Sequence, residues 1–206
     1  MSGAYQVKVK ICGITDVDIA LAAVEAGADA LGFVFAPSRR RVEPERAREI
    51  IAHLPPFIAR VGVFVNSPPA EIEHIARYCG LTAVQLSGDE PPDYALDLFI
   101  PVIRSLRVGN GKPVPSLDGF RVDAFLFDTY CEQSYGGTGK TFDWSLLENI
   151  ACPKPVLLAG GLNPSNVRKA VQTVKPYAVD VSGGVEKDGQ KDVQKIKEFI
   201  ALAKGV

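Results

Sequence analysis

Several kinds of protein are excluded by what this chain lacks. Its 206 residues contain 4 cysteines (Cys12, Cys79, Cys131 and Cys152). No two stand in a CxxC spacing, and only His53 and His74 could complement them. A metal centre is therefore not expected, and the thiols are expected to be free. No apolar run approaches the length of a membrane span. The opening residues, MSGAYQVKVK, show neither an apolar core nor a small-residue cleavage site. A secretory signal is not expected, and a cytoplasmic location is the default. Charge of one sign is also missing: 23 Lys and Arg face 24 Asp and Glu, a net charge of −1. No broad field exists to hold a nucleic acid or an anionic membrane, so neither is an expected partner. Any anion must be caught by a local site.

What is present is an ordinary soluble composition, 47% hydrophobic and 23% charged, with no disorder signature. No linker or shift in composition divides the chain, so residues 1–206 are expected to form one domain. Along it, short runs rich in Val, Ile and Phe alternate with segments of helical period. The runs are Val7–Cys12, Ala30–Phe35, Arg60–Val65, Ala83–Leu86, Pro101–Leu106, Ala124–Phe127, Val156–Ala159 and Ala178–Val181. Several are almost continuously apolar, as parallel strands covered on both faces are.

The helical segments carry recognisable ends. Asp16 is a fair N-cap and Gly27 a fair residue beyond a C-terminus; Pro44 and Pro69 open two further helices, and Gly80 closes the second. Others are expected near Pro91–Leu98, Asp143–Ile150, Pro164–Val174 and Val193–Ala203. Val193, Ile196, Phe199, Ile200 and Ala203 of the last form a stripe of helical period. Between Leu106 and Val122 the pattern is poor, and a short or irregular helix is expected near Val114–Gly119. Eight strand–helix units suit a closed parallel (β/α)8 TIM barrel, whereas an open doubly wound sheet usually stops at five or six strands.

In such a barrel the chemistry lies past the C-terminal ends of the strands. There the sequence places Cys12, Pro37–Arg40, Asn66, Gln85–Ser87, Arg104–Arg107, Asp128, Gly160–Gly161 and Asp180–Gly184. Cys12 is either a small buried hydrophobe or a thiol poised as base or nucleophile. Asp128, emerging from Phe125-Leu-Phe127, is either a turn former or a desolvated carboxyl able to act as an acid near neutral pH. Gly160–Gly161 and Gly183–Gly184 follow the last two strands, where barrels hold phosphate on backbone N–H groups; plain turn chemistry is the alternative. Arg39, Arg40 and Arg41 are a solvated cluster, or one of them clamps a carboxylate. A third glycine segment, Gly136–Gly139, runs into Lys140-Thr141, but its spacing fails the phosphate-loop motif because Ser134 stands where the first glycine belongs. Cys79, Cys131 and Cys152, both histidines and Trp144 show no catalytic partner.

Eight segments in order carry a resemblance: KICGIT (Lys10–Thr15), GADALGFVF (Gly27–Phe35), RVGVFVN (Arg60–Asn66), AVQL (Ala83–Leu86), FDT (Phe127–Thr129), GGTGKTFDW (Gly136–Trp144), LAGGLNPSNV (Leu158–Val167) and DVSGGVE (Asp180–Glu186). Together they resemble the phosphoribosylanthranilate isomerase family of tryptophan biosynthesis. The resemblance implies a TIM barrel that converts N-(5′-phosphoribosyl)anthranilate to 1-(2-carboxyphenylamino)-1-deoxyribulose 5-phosphate by an Amadori rearrangement. It implies Cys12 as general base and Asp128 as general acid. It implies Arg40, Gln85 and Asp180 as substrate-binding residues, and Gly160, Gly161, Ser182, Gly183 and Gly184 as the phosphate site.

One proton donor and one acceptor suffice for this chemistry, so no metal or cofactor is expected. The implied partner is a small phosphorylated substrate, and the chain is expected to be a monomer or homodimer. Two positions depart from the family pattern: Ser87 stands where a histidine is common, and Gly183 where a serine is. Other readings remain. The related isomerase of histidine biosynthesis uses aspartate where Cys12 stands. A Schiff-base aldolase would need a lysine at a strand end, whereas Lys10 lies inside its strand. A non-catalytic phosphate-metabolite barrel would have a damaged acid or base.

Overall fold

The computed structural model describes residues 6–109, 111, 114–130, 141–148 and 150–205. Eight strands form a closed parallel barrel in sequence order: β1 (Lys8–Cys12), β2 (Ala30–Val34), β3 (Ala59–Phe64), β4 (Ala83–Leu86), β5 (Val102–Val108), β6 (Ala124–Thr129), β7 (Val156–Leu158) and β8 (Ala178–Val181). β1 closes the ring by pairing with both β2 and β8, with Lys10 beside Ala30 and beside Asp180.

Side chains alternate along each strand. On β1, Val9 and Ile11 are fully buried in the layer between barrel and helices. The opposite set faces inward, where Ala124, Leu126, Leu157, Ala159 and Ala178 pack together as a second, smaller core with Ile103 against it. Above that apolar floor, the same inward phase brings Lys10, Cys12, Gln85, Asp128 and Asp180 to one end of the barrel.

Five α-helices occur among the described residues: α1 (Val17–Glu25), α2 (Pro44–Ala52), α3 (Pro69–Cys79), α4 (Val167–Val174) and α5 (Val193–Lys204). Their ends follow the sequence signals. The Asp16 carboxylate accepts from the N–H groups of Asp18 and Ile19, and Asp192 caps α5 through Lys195 N–H. Gly80 closes α3 in the left-handed conformation, φ 72°.

Three expected helices differ. The one near Pro91–Leu98 contracts to a 3-10 turn at Tyr94–Asp97, and the one near Asp143–Ile150 to a 3-10 turn at Trp144–Leu147. The short helix expected near Val114–Gly119 is absent: that stretch has no regular structure and turns at Asp118–Gly119. Pro115 supplies no N–H and disfavours helix at Val114, and Gly119 takes φ +79°. Val114, Leu117 and Phe120 still pack on the core there, so burial is achieved without a helix. After β8 comes a short hairpin, β9 (Glu186–Lys187) with β10 (Gln190–Lys191), before α5. Gly136–Lys140 and Cys131 lie outside the described residues.

Candidate active site

The C-terminal ends of β6, β7 and β8 enclose a cavity of about 380 Å³, counting its open mouth. Asp128, Gly160, Gly161, Asp180, Ser182, Gly183 and Gly184 line it. Asp128 is at the end of β6, and its Oδ1 accepts from Thr129 N–H at 2.7 Å. Burial pushes its carboxyl up to about 7; the nearby Asp180 charge adds to this, against the pull of Thr129 N–H and Lys10. A group titrating there can hold and give a proton near neutral pH.

The glycine loops are shaped by close approach. A Cβ on Gly184 would stand 1.8 Å from the Leu162 carbonyl oxygen, so only glycine lets the loop after β8 touch the loop after β7. Gly160 has φ +86° and rests against Thr129 and the Asp128 carboxylate. The Gly161 carbonyl is held by the side-chain amides of Asn163 and Asn166, at 3.2 and 3.0 Å. Among the described residues, the N–H groups of Gly160, Gly161, Gly183 and Gly184 donate to no protein acceptor. Unsatisfied N–H groups around one hollow are a ready anion cradle.

Cys12 ends β1 and is 7% exposed. It stands beside the cavity rather than in its lining, and Ser182 joins it there by donating from Oγ to the Cys12 carbonyl at 3.0 Å. Burial pushes the thiol above its ordinary value, against the pull of the Lys10 and Lys191 ammonium groups.

Sequence reasoning set Lys10 aside, yet it is buried beneath the site and bonded to Asp180 of its lining. Its side chain is 2% exposed, and Nζ donates to Asp180 at 2.8 Å and to Gln85 at 3.0 Å. An inward lysine two residues before Cys12, amid an apolar run, was the signal available. Gln85, expected to meet substrate, is itself buried and spends its amide on Lys10 and on Ser87 Oγ, the latter at 3.1 Å.

Arg40, the expected carboxylate clamp, has one edge taken. Its Nε and Nη2 donate to Glu186 at 2.6 and 3.1 Å, which leaves the end-on edge of the guanidinium. Glu186 also receives Arg39 at 2.5 Å and Lys191 at 2.9 Å. Burial alone would raise the Glu186 carboxyl, but Arg40 and Lys191 override it and hold it at about 2. Lys191 also donates to the Ser182 carbonyl and hydroxyl, at 3.0 and 3.2 Å. This cluster ties the loop after β2 to the phosphate-loop candidate and was not foreseen.

Arg104 and the histidines do not join the site. β5 starts one residue later and runs two further than expected, and Arg104 lies inside it, where it pairs with Glu90. His53 caps α2, and His74 stacks on Tyr78 of α3.

Comparison with known proteins now decides the family. The family model described as N-(5'phosphoribosyl)anthranilate (PRA) isomerase matches residues 9–201. The chain belongs to the phosphoribosylanthranilate isomerase family. Among relatives of this isomerase family, the N-(5'-phosphoribosyl)anthranilate isomerase of Geobacter sulfurreducens is 54% identical over 201 residues, covering 97% of this chain and 99% of its own. The crystal structure of the Thermotoga maritima isomerase superposes with TM-score 0.84 at 45% identity, covering 97% of this chain and all (100%) of that one. A further family structure, solved with reduced 1-(o-carboxyphenylamino)-1-deoxyribulose 5-phosphate, superposes with TM-score 0.81 at 44% identity, covering 97% and 100%.

Proposed function

We propose that this chain converts N-(5′-phosphoribosyl)anthranilate to 1-(2-carboxyphenylamino)-1-deoxyribulose 5-phosphate in tryptophan biosynthesis. The observation that carries this reading is the pairing of a proton-holding carboxyl, Asp128, with a circle of unsatisfied glycine N–H groups in one cavity of a family member. The N–H groups of Gly160, Gly161, Gly183 and Gly184 take the 5′-phosphate, and the ribose then lies toward Asp180 and Asp128. Asp128 protonates the furanose ring oxygen, and the ring opens to a Schiff base. Cys12, as thiolate, removes the proton from C2′, and the resulting enolamine tautomerises to the ketone. The free edge of Arg40 meets the anthranilate carboxylate. Every step moves a proton between carbon, oxygen and these side chains, so the proposed reaction uses no cofactor.

The single-domain chain is proposed to work in the cytoplasm, as a monomer or homodimer, on a small phosphorylated substrate and without nucleic acid or membrane. No helix among the described residues is long and apolar enough to cross a membrane. The test is an assay of purified protein with phosphoribosylanthranilate and no added metal. Conversion at ordinary enzymatic rates supports the reading. Binding without conversion would favour the non-catalytic barrel, and conversion only of the histidine-pathway ribosyl phosphate would favour the sister isomerase.

A further inference from the structure

We propose that Lys10 is the positioning residue of Cys12: its buried ammonium, held by Asp180 and Gln85 beside the sulfur, fixes the thiol and supplies the charge against which the thiolate forms. This rests on the reading of Cys12 as the base, and it deepens that reading.

The geometry leads to this. Lys10 and Cys12 are two apart on β1, so both point into the barrel. Two of the three ammonium donors are accounted for by Asp180 at 2.8 Å and Gln85 at 3.0 Å. The Cys12 sulfur lies beside the same ammonium and feels its charge. A Cβ on Gly32, the β2 residue beside Cys12, would stand 2.8 Å from Cys12 Sγ and 3.1 Å from Lys10 Nζ. Glycine there leaves room for the sulfur and the ammonium to border one space. Barrel interiors at this level are usually filled by branched apolar side chains. A buried ion pair in their place loses the hydration of both ions, and an apolar pair of similar volume would serve stability as well or better. The pair is therefore explained by the chemistry beside it.

Charge balance gives the consequence. Lys10 and Asp180 neutralise each other at rest, and the sulfur is a neutral thiol. Loss of its proton leaves one net negative charge, placed against the ammonium. The other groups facing the sulfur are Asp180 on β8, which opposes the thiolate, and Lys191 on β10, which favours it. Arg40, from the loop after β2, packs on Gly13 next in the chain, but its charge is held by Glu186. Lys191 is likewise paired with Glu186. Lys10 is thus the cation whose loss the sulfur should feel most.

The experiment reads the thiol, not turnover. Thiolate absorbance near 240 nm is titrated in the native protein, Lys10→Gln, Lys10→Met and Lys10→Arg, each minus its Cys12→Ala counterpart. Removing the charge should move the Cys12 midpoint up by about one to three pH units, the effect of a single neighbouring charge. Lys10→Arg should stay within about half a unit of native, and the pH profile of kcat should shift in the same order. Midpoints of Lys10→Gln and Lys10→Met unmoved from native overturn the proposal. If neither uncharged variant folds, Lys10→Arg decides alone: an upward move of a full unit, with the charge kept, overturns it. Full turnover by Cys12→Ala would sink the base assignment instead, and the titration would still report on Lys10.

Discussion

At the scale of single residues, Cys12 and Asp128 have their protons the wrong way round, above about pH 7, for the roles proposed for them. The thiol lies above its ordinary value and holds its proton, while Asp128 titrates at about 7. The productive pair, thiolate with carboxylic acid, is a minority form carrying the same total number of protons as the resting pair. The rate should therefore rise through about 7 and fall only above the ordinary thiol range, with both limbs belonging to the pair. Cys12→Ala and Asp128→Asn should each lower kcat by at least about 10², the usual contribution of a general acid or base. Near-native turnover with an unchanged circular dichroism spectrum would remove that residue from the mechanism.

Asp128 also carries a stability consequence. Its folded value, about 7, lies above the ordinary 3.8, so between these two pH values the folded state holds a proton that the unfolded chain releases. Stability falls as pH rises through that window, and the full cost is present above about 7. Asp128→Asn, which keeps an acceptor for Thr129 N–H, should be more stable than native at pH 8, by up to about 4 kcal/mol before screening at the cavity mouth. It should show no advantage near pH 3.5. Urea unfolding at both pH values measures the difference. Arg40→Ala should chiefly raise KM, because it removes the proposed contact to the substrate carboxylate and no proton carrier; an unchanged KM with altered thermal stability would reduce Arg40 to a partner of Glu186.

At the scale of elements, the units around β4 and β5 show a sequence rule overridden by tertiary packing. With no helix after β5 among the described residues, Arg104 lies 5.5 Å from the Phe120 ring centroid and donates to the carbonyls of Leu86 and Gly88, at 3.5 and 3.1 Å. Its ion-pair partner Glu90 accepts from the N–H groups of Asn66 and Gly88, at 2.8 and 3.2 Å. One buried pair thus pins the loops after β3 and β4 to β5. Arg104→Met should strand the Glu90 charge and cost about 3–5 kcal/mol, whereas Arg104→Met with Glu90→Met should recover much of it. A double mutant no better than the single would contradict this account. From sequence, Arg104–Arg107 passed for residues of the barrel mouth, yet β5 runs on past all of them; β-strand boundaries are set by pairing, and β6 extends the ladder to Val108 opposite Thr129.

At the scale of the whole molecule, Phe57 and Phe99 are 97% and 94% exposed. Each precedes a strand, on the face of the barrel away from the cavity. Sedimentation equilibrium across micromolar concentrations should give either the 22.1 kDa monomer or twice that mass; a larger species would contradict the proposed assembly.

The chain alone determined the strand number, the barrel and the family. Nearly continuous apolar runs, N-cap aspartates and C-terminal glycines act locally and need no knowledge of neighbours. It also placed Cys12, Asp128 and both glycine pairs at strand ends, since strand ends are legible from where apolar runs stop. Only the closed ring decided that Lys10 meets Asp180, 170 positions away, that Gln85 serves Lys10, and that Glu186 gathers Arg39, Arg40 and Lys191. Those contacts depend on inter-strand register and on which loops converge, and charges far apart in sequence leave no periodic trace of their pairing.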